Sequence, residues 1–133
     1  MVYLKKVRTD KELTKLYYFF KKLPDNSIFT TPFKRYKQLV ANYSYVLYNN
    51  KDVIGGLSYY HESDFIAVLN FYAIHDKVNF SILRQMVSIL VNASNSSCKK
   101  VYMSTTTPHK LSSTILTHIR DDVYELKNPK ARN

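Results

Sequence analysis

Apolar residues recur three and four apart in some stretches of this chain and every second residue in others. The switch between the two periods marks out the elements. In "TDKELTKLYYFFKKL", Leu13, Leu16, Tyr17, Phe20 and Leu23 fall on one helical face. Thr9 and Glu12 stand in capping-box spacing ahead of it, and Pro24 stops it. "TPFKRYKQLV" predicts a second helix, with Thr31 as N-cap and Pro32 at the first helical position. From Tyr43 the period becomes two. "YSYVLYN" and "DVIGGLSYY" predict strands joined by the turn "NNKD", and "HESD" turns into a third, "FIAVLNFYAI". This last run is apolar on both faces, which suits a central strand covered by helices on both sides.

"NFSILRQMVSILVN" is the strongest helical pattern, with Ile82, Leu83, Met86, Val87 and Leu90 in one stripe and Asn79 as N-cap. "ASNSSC" reads as a loop, "KKVYMS" as a strand and "TPHKLSSTILTHIR" as a last helix on Leu111, Ile115 and Ile119. "DVYEL" closes the chain with a short strand, and "VYLKKVR" opens it with another. The predicted order is β-α-α-β-β-β-α-β-α-β. This is an α/β chain with a mixed central sheet, helices on both faces, and a parallel pair joined through the central helix. At 133 residues one domain, 1–133, is expected.

Charge changes the picture of partners. The net charge is +10, unevenly placed: residues 1–51 carry 11 Lys/Arg against three Asp/Glu. Such a field attracts polyanions. The best local patch for nucleic acid is "FKRYK", with Lys34, Arg35 and Lys37 crowding one helix beside Tyr36. The one cysteine, Cys98, excludes a disulfide framework within the chain and reads as a small buried residue. No signal peptide opens the sequence and no apolar run is long enough to span a bilayer, so a cytoplasmic setting and no membrane partner are expected. Metal spacings such as H-E-x-x-H or C-x-x-C are missing, and so is a G-x-S-x-G elbow.

Both glycines of the chain, Gly55 and Gly56, stand side by side in "YVLYNNKDVIGGLSYY". Glycine inside a strand marks a bulge or a close approach by another group. This strand–turn–"IGG" stretch, together with the element order, resembles the GNAT fold of acyl-CoA-dependent N-acyltransferases. The likeness is nearest to the small divergent GNAT-like proteins of tailed phages. The resemblance implies that the strand carrying Gly55 and Gly56 faces a substrate cleft. It also implies that acetyl-CoA, if bound, would meet Phe71, Tyr72, Ala73, Lys77, Phe80, Ser81 and Ser104.

In the family a glycine-rich loop and a helix N-terminus hold the cofactor's pyrophosphate. Free backbone N–H groups and the helix dipole do this work, and glycine lets the backbone come close. Here the corresponding stretch is "HDKVNFS", without glycine or arginine and with Asp76 present. The family's tyrosine acid is also missing between Met103 and Val123, which leaves His109 or His118. For a base, His75 and Glu62 are the candidates. The primary expectation is therefore a GNAT-fold protein with a degenerate cofactor site and no bound cofactor. It would act as a binding, morphogenesis, virion-associated or host-directed module with a phage or host protein partner. The alternatives are an active acetyl-CoA-dependent N-acetyltransferase and a basic nucleic-acid-binding protein.

Overall fold

A computed structural model of the chain describes residues 1–23, 31–73, 80–104, 116–120 and 123–127. The capping box forms as the sequence predicts. The backbone N–H of Glu12 donates to Thr9 Oγ1, and the Glu12 carboxylate accepts from the backbone N–H groups of Thr9 and Arg8. This starts α1 (Asp10–Lys21), which buries Leu13, Leu16, Tyr17 and Phe20 on one face. The second helix, α2 (Phe33–Val40), differs from expectation at its start. Its N-cap is Pro32 with no side-chain cap, and the carbonyl of Thr31 instead accepts a 2.7 Å hydrogen bond from the Tyr17 hydroxyl.

The strands are β1 (Val2–Lys6), β2 (Ser44–Asn49), β3 (Asp52–His61), β4 (Phe65–Ala73), β5 (Lys100–Ser104), β6 (Leu116–Arg120) and β7 (Val123–Leu126). They form one seven-stranded mixed sheet in the order β1-β2-β3-β4-β5-β7-β6. All neighbours are antiparallel except β4 and β5, which run parallel and are joined through α3 (Phe80–Ser97). The helices cover both faces, as the two-sided apolar run of β4 predicts. Ile66, Val68 and Phe71 of β4 join Ile82, Met86 and Leu90 of α3 in one core. The other core holds Leu16, Tyr17 and Phe20 of α1 with Tyr36 and Val40 of α2, and Leu69 and Tyr72 of β4 pack against it.

Three further expectations are corrected. The helix predicted to run through Ile119 is a strand at its end. Residues 116–120 are β6, paired with β7, and Leu116 packs against the core while Ile119 is exposed. The sequence spacing of Ile115 and Ile119 fits a helix, but β7 offers an open edge, and β-branched Thr117 suits a ladder. The register slips between His118 and Arg120, so Ile119 is the unpaired residue.

The second correction is that α3 runs through "ASNSS". Ser96 and Ser97 bond back to the Ala93 carbonyl, and the buried Ser94 hydroxyl donates to the carbonyl of Lys99. These local bonds satisfy the hydroxyls of a polar stretch within and just past the helix. The third concerns Cys98, which is exposed and has φ 57. It occupies the left-handed position after α3, with the Lys99 N–H bonded to the Ser94 carbonyl at 3.2 Å, the pattern of a Schellman stop.

Candidate active site at the parting of two central strands

The functional geometry starts from β4 and β5, the only parallel pair among the described residues. β4 and β5 are paired at Phe65–Lys100, Ile66–Val101 and Ala67–Tyr102, and no further. From Tyr102 to Ser104, β5 pairs on its other side with Val123–Glu125 of β7. The β5 side of β4 therefore has no strand partner from Val68 to Ala73 among the described residues. Backbone N–H and C=O groups must be paired or wet, so this edge is a place for an extended ligand to add its own hydrogen bonds.

A bulge sits at the same point. Ser58 pairs with Asn70 but Tyr59 with Val68, so Leu69 is the extra residue. A bulge bends its strand and strengthens the local twist, and here it falls where β4 leaves β5.

The two glycines fit the sheet beside this opening. The β3 register passes from Leu47–Gly55 to Tyr48–Val53, which leaves Ile54 as a second bulge. A Cβ on Gly55 would lie 2.2 Å from the Tyr72 carbonyl oxygen and 2.8 Å from the Ala73 Cα. A Cβ on Gly56 would lie 2.4 Å from Leu16 Cδ1 and 2.6 Å from the Tyr45 carbonyl oxygen. Gly55 thus lets β3 close against the far end of β4, and Gly56 lets α1 sit down on the sheet.

The predicted cofactor contacts are partly brought together. Phe71, Tyr72 and Ala73 lie on the open half of β4. The Phe71 ring is buried in the α3-side core and Tyr72 points to the other face, against Phe19. Ser104 ends β5 across the opening, paired with Val123. Phe80 and Ser81 are the first residues of α3, and both are exposed. The first turn of α3 has no acidic residue, so nothing within it opposes an anion. Arg84, which sequence reasoning passed over, stacks its guanidinium 4.9 Å from the centre of the Phe80 ring. The signal was available, because Phe80 and Arg84 are four apart on a helix.

His75, Lys77 and His109 lie outside the described residues. Glu62 is exposed in the β3–β4 turn, before the first residue of β4. The open half of β4 begins at Val68 and runs away from it, so the structure does not bring Glu62 to the opening. His118 stands on β6 with its ring 5.0 Å from that of Tyr124, not on a helix.

The basic patch is also altered. Lys34, Arg35 and Lys37 are exposed, but Tyr36 is fully buried and cannot stack on a base. Lys37 pairs with Asp10 at 2.6 Å. Among the described residues no group of His, Cys, Asp and Glu could hold a metal ion, and no helix is long and apolar enough to cross a membrane.

One polar row crosses the sheet on the α1/α2 face. Ser44 of β2 pairs with Ser58 of β3, which pairs with Asn70 of β4. The Ser44 hydroxyl donates to the Val40 carbonyl at 2.7 Å. Its single proton is then spent, so Ser58 donates to Ser44 (3.0 Å) and Tyr36 donates to Ser58 (2.6 Å). Burial pushes the Tyr36 phenol far above the ordinary tyrosine range, against the opposing pull of the two serines. The third member of the row is not satisfied: Asn70 is 8% exposed and its Oδ1 has no hydrogen-bond partner among the described residues.

No protein-family model matches this chain, and no curated protein matches it. Solved structures do. An acetyltransferase of the GNAT family from Staphylococcus aureus superposes with a TM-score of 0.57 at 11% identity, over 79% of this chain and 73% of that one. Naa50 from Arabidopsis thaliana, solved with a bisubstrate analogue joining CoA to a peptide, gives 0.57 at 14% identity over 94% and 95%. PaiA N-acetyltransferase from Thermoplasma acidophilum, solved with coenzyme A, gives 0.58 at 7% identity over 96% and 98%. At such identities the likeness concerns the fold. A seven-stranded mixed sheet that parts between its parallel strands, with helices on both faces, gives this chain the fold of the GNAT acetyltransferases.

Proposed function

We propose that the chain is an acyl-CoA-dependent N-acyltransferase, with acetyl-CoA as its donor. The observation that carries this reading is the edge of β4 from Val68 to Ala73, which has no strand partner on its β5 side among the described residues, while β5 goes on pairing with β7 along its other edge. The residues present suit an acyl-CoA. Its extended, amide-bearing arm matches an open β-edge, and its phosphates match the N-terminus of α3 at Phe80 and Ser81, which has no acidic residue in its first turn. When bound, the donor supplies a thioester. Transfer to an amine forms a C–N bond, breaks the C–S bond and moves one proton from nitrogen to the departing sulfur. The chain's own part is to hold the donor along β4, present it through the opening, and receive the amine on the α1/α2 face. A net charge of +10 repels polycations, so an amine on a neutral or anionic molecule fits better than a polyamine.

The second reading is the non-catalytic module, with a phage or host protein as partner, in the host cytoplasm or the virion. The sequence feature that favours it is "HDKVNFS", which has no glycine with which to cradle a pyrophosphate.

Thermal unfolding with and without acetyl-CoA separates the two. A ligand at a hundred times its dissociation constant adds roughly 2.7 kcal/mol of stability. The acyltransferase reading expects a clear upward shift of the transition. An unmoved transition at millimolar acetyl-CoA overturns it and leaves the binding module.

A further inference from the structure

We propose that Asn70 positions the acceptor amine, with its carboxamide oxygen accepting a hydrogen bond from the amine N–H at the opening of β4. The inference rests on the acyltransferase reading and deepens it.

Among the described residues, Asn70 is one of four buried polar residues, with Ser44, Ser58 and Ser94. The three serines make the hydrogen bonds described above. Among the described residues, Asn70 Oδ1 is the buried side-chain polar atom left without a partner. A buried carbonyl oxygen without a donor costs about 1–3 kcal/mol. A leucine would fill similar space without that cost, so an asparagine here calls for a reason.

Its placement supplies one. Asn70 lies beyond Ala67, where β4 has left β5, and next to the bulge at Leu69. Cross-strand partners share a face, and Ser58 takes its bond from Tyr36 of α2. Asn70 is therefore on the α1/α2 face, while α3, whose N-terminus suits the donor's phosphates, packs on the other. A donor held from the α3 side presents its reactive end through the opening to the side of Asn70. The acceptor arrives from that side, and an N–H is what the orphaned oxygen lacks. Tyr72, two residues along on the same face, and Phe19 against it give the approach an aromatic wall, which suits an amine that arrives protonated. A carboxamide does not titrate near neutrality, so Asn70 aims the nitrogen and takes no proton.

The test compares two probes on the purified protein by calorimetry. One is acetyl-CoA. The other is coenzyme A joined through sulfur to an acetyl-glycinamide arm, whose N–H stands where the attacking nitrogen would. The expected result is that the wild type binds the conjugate more tightly than acetyl-CoA. Asn70→Leu should lose about fivefold of conjugate affinity, the worth of one hydrogen bond, with acetyl-CoA affinity unchanged. Asn70→Asp, which keeps an acceptor oxygen, should retain the preference. Asn70→Leu should also unfold at the same urea concentration as the wild type or a higher one, because it removes an unsatisfied atom. If Asn70→Leu binds both probes as the wild type does, this inference fails and the acyltransferase reading stands. A markedly destabilised Asn70→Leu would mean a structural hydrogen bond, to a buried water for instance, and would overturn the inference too. If the wild type binds neither probe, the acyltransferase reading falls and takes this inference with it.

Discussion

The Tyr36 hydroxyl of α2 meets the Ser58 Oγ of β3 at 2.6 Å, with neither residue exposed to solvent. It is the head of a one-way chain that ends on the Val40 carbonyl of the same helix. Tyr36→Phe removes the first donor and leaves the Ser58–Ser44 bond in place, so a loss of about 1 kcal/mol is expected. Ser58→Ala removes the middle link and both of its bonds, and should cost more, about 2 kcal/mol. Urea unfolding of the two variants checks the order. Equal losses would contradict the directional chain.

The paired glycines predict a ranked effect. Gly55→Ala drives a methyl into the backbone of Tyr72 and Ala73, which the sheet cannot move aside. Gly56→Ala meets the flexible end of Leu16 as well as the Tyr45 carbonyl. Overpacking of this kind costs about 1–3 kcal/mol. Gly55→Ala should sit at or beyond the top of that range and Gly56→Ala below it, read as urea midpoints.

Cys98 holds a left-handed backbone that a side chain strains, at the position where helices commonly stop on glycine. Cys98→Gly should therefore stabilise the protein by about 1 kcal/mol. A thermal transition that falls would show that the thiol makes a contact worth more than the strain.

Two groups make stability weaken in acid. The bond from Lys5, followed by that from the Arg8 N–H, holds the Glu12 carboxyl below its ordinary value. Its contribution is present above pH 4.5 and is lost as the pH falls through the lowered value. His61 is also held low, first by burial and then by Lys99, whose ammonium lies 3.3 Å from Nδ1. The fold favours the neutral ring, so the unfolded chain takes up the proton first. Stability is lost as the pH falls below 6.5 and on through the depressed value. His61→Asn should flatten the upper part of the acid slope and Glu12→Gln the lower part, in unfolding measured from pH 8 to pH 3. A slope unchanged in both variants would refute both assignments.

Much of the fold was legible along the chain because local rules and tertiary demands agree there. Thr9 and Glu12 cap a helix whose apolar face is the one the core buries. The two-sided run of β4 needs a helix layer on each face and has them. The rules failed where the partner is distant in sequence. Leu116–Arg120 carries helical spacing, but the open edge of β7 claims it as a strand. Tyr36 reads as a surface aromatic among lysines, yet Ser58, 22 residues on, draws its hydroxyl inside. Cys98 reads as core because cysteine usually is, whereas the end of α3 needs a left-handed residue at that point.

The sequence by itself determined the α/β order through α3 and β5, the basic charge, and the glycine pair inside one strand that signals a bulge or a close approach. Periodicity, charge and glycine are local properties, and each acts over a few residues. Only the tertiary structure decided where β4 and β5 part, which residues line that opening, and which buried atom lacks a partner there. Those depend on register between strands some thirty residues apart, and register is fixed by packing on both faces at once.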